Sequence, residues 1–230
     1  TSTVRANASA GFSIVTYTGN GVSGATAGHG LGILPGMIVL KSRTSGTYNW
    51  RVAHSGVAVG DMLFLNTTDA KLTTTANNAG YISAYTSSTF TLTQAGANAL
   101  DAVNKTGDTY VAYCFAPVAG YSAFGSYTGN GSTDGPFVWT GMRTRWLLIK
   151  ASSTAGSHWM LFDTARDTYN QTAVQLYANL SNAEGSGSSV DILSNGFKPR
   201  ADTFSNINGS GTTYIYAAFA ENPFSIARAR

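Results

Sequence analysis

Hydrophobic residues along this chain come in short runs, each ended by a cluster of Gly, Ser, Thr and Asn. Phe12-Ser13-Ile14-Val15-Thr16-Tyr17 opens the pattern and predicts a strand. It stops at Gly19-Asn20-Gly21, residue types that tolerate positive φ. A Gly-rich loop runs from there through Gly36. Met37-Ile38-Val39-Leu40-Lys41 is apolar without alternation, which predicts a central strand covered on both faces. Trp50-Arg51-Val52-Ala53-His54 alternates and predicts a half-buried strand. Met62 to Leu65, Tyr81 to Tyr85 and Phe90 to Leu92 add shorter strands. Tyr110 to Ala116 closes the series, with Tyr110, Ala112 and Cys114 on one face and Val111, Tyr113 and Phe115 on the other. No window repeats convincingly at a helical period. Thr172 to Leu180 fits a helical turn or two, or a strand equally well. Short strands at regular spacing between Gly/Ser/Asn turns predict a β-sandwich.

The pattern then occurs a second time. Tyr17-Thr18-Gly19-Asn20-Gly21 returns as Tyr127-Thr128-Gly129-Asn130-Gly131, and Met37 to Lys41 as Trp146-Leu147-Leu148-Ile149-Lys150. Trp50 returns as Trp159, and Tyr110 to Ala116 as Tyr214 to Ala220. Spacing drifts only from 110 to 109 to 104 residues. A unit of that length can hold its own core, unlike the short units of a solenoid. The expected fold is therefore all-β, with two tandem antiparallel β-sandwich modules of jelly-roll-like kind. Residues 1–10, small and polar, read as an arm or linker, 11–117 as module one and 118–230 as module two, with Pro117-Val118-Ala119-Gly120 at the boundary.

Composition agrees with strands and narrows the function. Only 11% of residues are charged, against about 25% in an average soluble domain. The surface must therefore be covered by Ser, Thr, Asn and Gly. Just two glutamates are present, Glu184 and Glu221, in a chain rich in Gly, Tyr and Phe, the balance of strands and not of helices. A net charge of +3 without a basic cluster is too weak a field for a nucleic-acid binder. The single cysteine, Cys114, can form no internal disulfide. No run approaches 18 apolar residues, which excludes a membrane-spanning helix and so membrane insertion by one. The start at Thr1-Ser2-Thr3 reads as that of a processed chain or of the ordered part of a longer one.

Catalytic chemistry finds little support. Gly19-Asn20-Gly21-Val22-Ser23-Gly24 matches G-x-G-x-x-G, but a dinucleotide site needs that string to open a helix. The next residues, Ala25-Thr26-Ala27-Gly28-His29-Gly30, would make a poor helix, and module two places Asp134 where the third glycine should fall. The histidines His29, His54 and His158 lie far apart in no metal-ligand spacing, so neither a metal nor any other cofactor is expected. No G-x-S-x-G elbow is present, and Cys114 reads as a small core residue. Asp163 and Asp167 are near each other, but Arg166 lies between them and a loop ion pair is the expected role. The chain reads as non-enzymatic.

Aromatic residues offer the other candidate site. Trp139, Tyr169 and Tyr177 lie in the divergent loops of module two, outside the repeated strands. Exposed, they would stack on sugar rings; buried, they would complete a leucine-poor core. Burial is the favoured expectation for Trp139, while for Tyr169 and Tyr177 the two readings stand level. The repeated Trp50/Trp159 and Tyr17/Tyr127 read as architecture.

Tyr17 to Gly21, His29-Gly30-Leu31-Gly32, Pro35, Ile38 to Lys41 and Trp50, together with Tyr127 to Gly131, Gly141-Met142-Arg143, Leu147 to Lys150, Trp159 and Asp163, resemble a module common in virion structural proteins of tailed bacteriophages. The close Ala218-Phe219-Ala220-Glu221-Asn222-Pro223-Phe224 is similar to the close of such chains. Module two departs from the pattern in lacking the His-Gly-Leu-Gly string. The resemblance implies a tail-fibre or receptor-binding component on the exterior of the particle, with other virion proteins as partners and a host-surface glycan as ligand. A capsid decoration or head-fibre protein, and a carbohydrate-binding module, are the alternatives. Weakly charged edge strands predict a homo-oligomer, such as a trimer.

Overall fold

The structure, a computed structural model, describes residues 2–73, 80–94, 101–202 and 205–223; Phe224 of the closing motif lies outside them. The chain is all-β, with antiparallel pairing throughout. It divides into two compact units, Thr1–Asn66 with Lys71–Ala116, and Thr67–Ala70 with Pro117–Arg230. The division falls between Ala116 and Pro117, but four residues from the middle of the expected first module belong to the second unit.

Unit one contains β1 (Ser2–Asn7), β2 (Phe12–Thr18), β3 (Ala25–Gly28), β4 (Met37–Ser42), β5 (Arg51–His54), β6 (Leu63–Phe64), β7 (Tyr81–Tyr85), β8 (Thr89–Thr93) and β9 (Thr109–Phe115). One sheet runs β1-β2-β9-β4-β5-β6 and the other β3-β8-β7. Unit two contains β10 (Ser122–Thr128), β11 (Val138–Trp139), β12 (Thr144–Ala151), β13 (Met160–Asp163), β14 (Gln175–Tyr177), β15 (Ser188–Leu193), β16 (Gly196–Asp202) and β17 (Thr213–Ala220). Its sheets run β10-β17-β12-β13-β14 and β11-β16-β15. The topologies superpose strand for strand once β1 is set aside. In each unit the opening strand pairs with the last, and the second with the last but one in the chain. Each core lies between its two sheets: Val15, Ile38 and Cys114 meet Phe90 and Ile82 in unit one, and Leu147, Ile149 and Phe162 meet Phe197 and Val190 in unit two.

The repeated strings form the same corner twice. Tyr17 stacks on Tyr110 at 5.1 Å and Tyr127 on Tyr214 at 5.1 Å. The Tyr17 hydroxyl donates to Val103 O and that of Tyr127 to Ile207 O, both at 2.6 Å. A second tyrosine completes each corner: Tyr214 donates to Ser205 O (2.7 Å) and accepts from Gly209 N (2.7 Å). Asn104 and Asn208 lock the turn. Their Oδ1 atoms accept from Asn20 N and Asn130 N, and their amides donate to Asn20 Oδ1 and Asn130 Oδ1. Tyr214→Phe strands the buried Gly209 N–H and takes the donor from the Ser205 carbonyl. It should cost unit two about 1–3 kcal/mol, read as a lower denaturant midpoint at unchanged slope.

Three expectations change. Residues 1–10 are not a free arm: β1 pairs along its whole length with β2, from Ser2↔Tyr17 to Asn7↔Phe12. The Gly-rich loop after Gly21 contains β3, which pairs with β8. Arg51 to His54, expected half-buried, is buried on both faces, with the Arg51 guanidinium over the Phe64 ring at 5.2 Å. The ambiguous stretch Thr172 to Leu180 contains a short strand, β14, at Gln175–Tyr177 and no helix.

Candidate functional site

Because the two units share a scaffold, module one serves as the reference for what module two has changed. Ala27 pairs with Phe90 and Val138 with Phe197, both inward-facing. That register places Phe137 and Trp139 where module one has Thr26 and Gly28, and Gly141-Met142 where it has Gly30-Leu31. The Gly-Leu part of the string absent from module two thus has a structural counterpart. Gly30 (φ +68°) and Gly141 (φ +75°) are both left-handed, and Leu31 and Met142 are both buried.

Trp139 is 66% exposed and Phe137 51%. The expected burial of Trp139 is therefore overturned, for a simple reason. It lies in an edge strand, one residue from inward-facing Val138, so strand alternation turns it outward. Its ring covers Gly141, whose added Cβ would lie 3.1 Å from Trp139 Cζ2. In module one Val4 of β1 covers Gly30 in the same way, at 3.0 Å. Beside β11, Arg200 pairs with Asp191 (2.6 Å) and Asp134 (2.5 Å), and Lys198 pairs with Asp134 (2.5 Å). Lys198 holds the Asp134 carboxyl below the usual range. Exposed ion pairs of this kind add little stability, but they set out donors and acceptors beside two aromatic rings.

Tyr169 is 83% exposed, on the loop between β13 and β14. Tyr177 is half-buried on β14 and packs edge-on against His158 at 5.2 Å. Trp139 and Tyr177 thus lie in strands and not in loops. Among the described residues no hydrogen bond or ring contact joins any two of the three.

The Tyr177–His158 contact belongs to a feature that sequence reasoning missed. Trp159 N donates to Asn179 Oδ1 (3.0 Å), and Asn179 Nδ2 faces His158 Nδ1 (3.0 Å). In module one Trp50 N donates to Asn66 Oδ1 (2.9 Å), and Asn66 Nδ2 to Asn49 Oδ1 (2.9 Å). An Asn that follows each repeated Trp was the available signal. Gly156, His158, Tyr177 and Asn206 line an open recess of about 230 Å³ beside this relay.

The candidates for catalysis disperse. Asp167 accepts from Ala173 N (2.7 Å) and Val174 N (3.0 Å), and these bonds lower its pKa. Asp163 lies 3.8 Å from Arg145, and Arg166 pairs with Glu184 instead of either aspartate. Cys114 is buried, which pushes its thiol up to about 12. His29 is buried too; its ring faces Thr86 O and accepts from Leu31 N, and burial lowers its pKa. The G-x-G-x-x-G string leads into β3, not a helix. Among the described residues no group of three His, Cys, Asp or Glu could hold a metal ion, and no helix is long and apolar enough to cross a membrane.

Duplicated antiparallel sandwiches with a divergent second surface define the class of this chain. It belongs to the family described as a domain of unknown function (DUF7483), whose model matches residues 1–223. Neither the curated proteins nor the solved structures gave a match to it.

Proposed function

We propose that this chain is a non-enzymatic structural component of a bacteriophage virion, of the tail-fibre or receptor-binding kind, whose second module contacts a host-surface glycan. The observation that carries the reading is the replacement of Thr26 and Gly28 by the exposed rings of Phe137 and Trp139 on an otherwise shared strand. Exposing large aromatic surface is unfavourable unless a partner covers it, and flat apolar rings beside polar groups suit a sugar chain. Aspartates committed to separate partners support the absence of catalysis. The chain acts on the particle's exterior beside other virion proteins, as a homo-oligomer that covers its weakly charged edge strands; β1, for example, carries one charge, Arg5.

An array of bacterial surface polysaccharides tests the proposal. The parent chain should bind at least one, and Phe137→Thr with Trp139→Gly, which restores the module-one residues, should weaken binding at least about tenfold, or 1.4 kcal/mol. A parent chain that binds no glycan but adheres to capsids would replace this reading with capsid decoration. Light scattering that gives a strict monomer at high concentration would remove the oligomer.

A further inference from the structure

Module two has built two hydrogen-bond donors onto a relay that module one uses only for architecture. In the relay, Asn179 Oδ1 is taken by Trp159 N, so Asn179 must present its NH2 group to His158. A side-chain amide nitrogen is a donor only, so His158 Nδ1 accepts and the imidazole proton sits on Nε2. A second amide does the same for Tyr177. Gln175 Oε1 accepts from Ser188 N (3.1 Å), so Gln175 Nε2 donates to the Tyr177 hydroxyl (2.8 Å). The phenol oxygen is thereby an acceptor in this contact, and its own proton remains to be donated. Among the described residues neither the His158 Nε2–H nor the Tyr177 O–H has an acceptor.

Both groups line the recess formed with Gly156 and Asn206. Asn206 is buried, and its Oδ1 fixes the floor by accepting from His158 N (3.1 Å). Module one offers neither donor. Its relay ends on the amide oxygen of Asn49, and the partner of Arg51 in register is Phe64 where Met160 has Tyr177. Ala102 stands in the place of Asn206. The modules therefore differ at three positions around one retained Trp–Asn pair, with His158 for Asn49, Tyr177 for Phe64 and Asn206 for Ala102.

We infer that this recess binds a single neutral sugar ring through the His158 imidazole N–H and the Tyr177 hydroxyl. None of its four lining residues carries a formal charge when His158 is neutral, so an anionic ligand would meet no counter-charge there. Its volume, about 230 Å³, is below the roughly 300–1,000 Å³ of pockets for drug-sized ligands, which limits the occupant to about one ring. Two oriented donors beside an aromatic wall match the hydroxyl oxygens and the apolar face of a pyranose. The inference rests on the proposal that module two is the ligand-binding module and gives that module a second, ring-sized subsite.

Titration of the full chain with free sugars, followed through the imidazole nitrogen resonances, is the test. Neutral hexoses and N-acetylhexosamines form one arm, and hexuronate and inorganic phosphate form the others. A neutral sugar should shift His158 Nε2 saturably, with a dissociation constant of about 1 mM or weaker, and leave His29 and His54 unmoved. Tyr177→Phe should weaken that titration about tenfold. His158→Asn should do the same by saturation-transfer NMR. Both variants place module-one residues on the same relay, so the fold is retained. No saturable shift with any neutral sugar, an equal or larger response to hexuronate or phosphate, or titrations undiminished in the variants would each overturn the assignment. Polysaccharide binding on the array with no response at His158 would remove the recess and leave the receptor reading standing. Monosaccharide binding here with no array binding would do the reverse.

Discussion

Gly19→Ala should cost the first unit more than about 4 kcal/mol, a size confined to a few named mechanisms, of which backbone collision is one. A Cβ on Gly19 would lie 2.0 Å from Lys105 O and 2.8 Å from Asn104 C. On Gly129 it would lie 2.4 Å from Gly209 O. These are backbone atoms, so no rotamer change relieves the overlap. They belong to the turns that face Gly19 and Gly129 across the corner, and those turns are clasped by Gly19 N→Asp108 O (2.8 Å) and Gly107 N→Gly19 O (3.0 Å), and by Gly129 N→Thr212 O (2.9 Å) and Gly211 N→Gly129 O (3.0 Å). Moving the chain apart would break these bonds along with those of Asn104 or Asn208. With total stabilities of about 5–15 kcal/mol typical of domains, loss of the affected unit is the expected result. Gly46→Ala is the control, because nothing lies within 4 Å of the added carbon. Denaturant unfolding compares them. If Gly19→Ala and Gly46→Ala differ by less than about 1 kcal/mol, the corner is not a rigid clasp.

The same corner shows what was legible in the sequence. Tyr17, Trp50 and Tyr110 could be paired with Tyr127, Trp159 and Tyr214 because architecture demanded the same residue at the same station. The other half of the clasp was also written out, as Asn104-x-x-Gly107-x-x-Tyr110 and Asn208-x-x-Gly211-x-x-Tyr214, at the 104-residue spacing of the tyrosines themselves. That half is hard to recognise, because Asn and Gly between strands look like any turn. β3 was missed for a related reason. Ala25-Thr26-Ala27-Gly28 has weak strand propensity, and pairing with Thr89 to Leu92 supplies what propensity lacks. β1 escaped because a short polar segment becomes a strand only when an edge accepts it. Trp139 was misplaced since the position of β11, and hence its outward alternation, depends on Phe197 far along the chain. The recess at His158 needed the Asn179 relay, which no local pattern announces.

Lys150→Met should change how the stability of unit two responds to alkali. Lys41 and Lys150 occupy the same station, but Lys41 is half-exposed while Lys150 is fully buried. The Lys150 ammonium donates to Ala151 O (2.9 Å) and Thr68 O (3.4 Å), and burial pulls its pKa from 10.5 down to about 8, against a smaller opposing attraction from Asp69. The sign follows from proton counting. Between pH 8 and 10.5 the unfolded chain holds the proton and the folded chain does not, so stability contributed at this site rises with pH. Below pH 8 both states are protonated and the folded state bears the full desolvation cost. Within unit two the Tyr216 phenol, raised by burial, pulls the opposite way, because the folded chain holds a proton there that the unfolded chain loses. The useful quantity is therefore the difference between wild type and Lys150→Met at each pH. Methionine keeps the unbranched stem and removes the charge, so the variant's advantage should be largest near pH 7. It should then shrink by about 1 kcal/mol per pH unit between pH 8 and 10, some 2–3 kcal/mol in all. Paired chemical unfolding at pH 7, 8, 9 and 10 gives the difference directly. A flat profile would mean that the folded protein keeps Lys150 charged across that range, with the two carbonyls solvating the ammonium as well as water does.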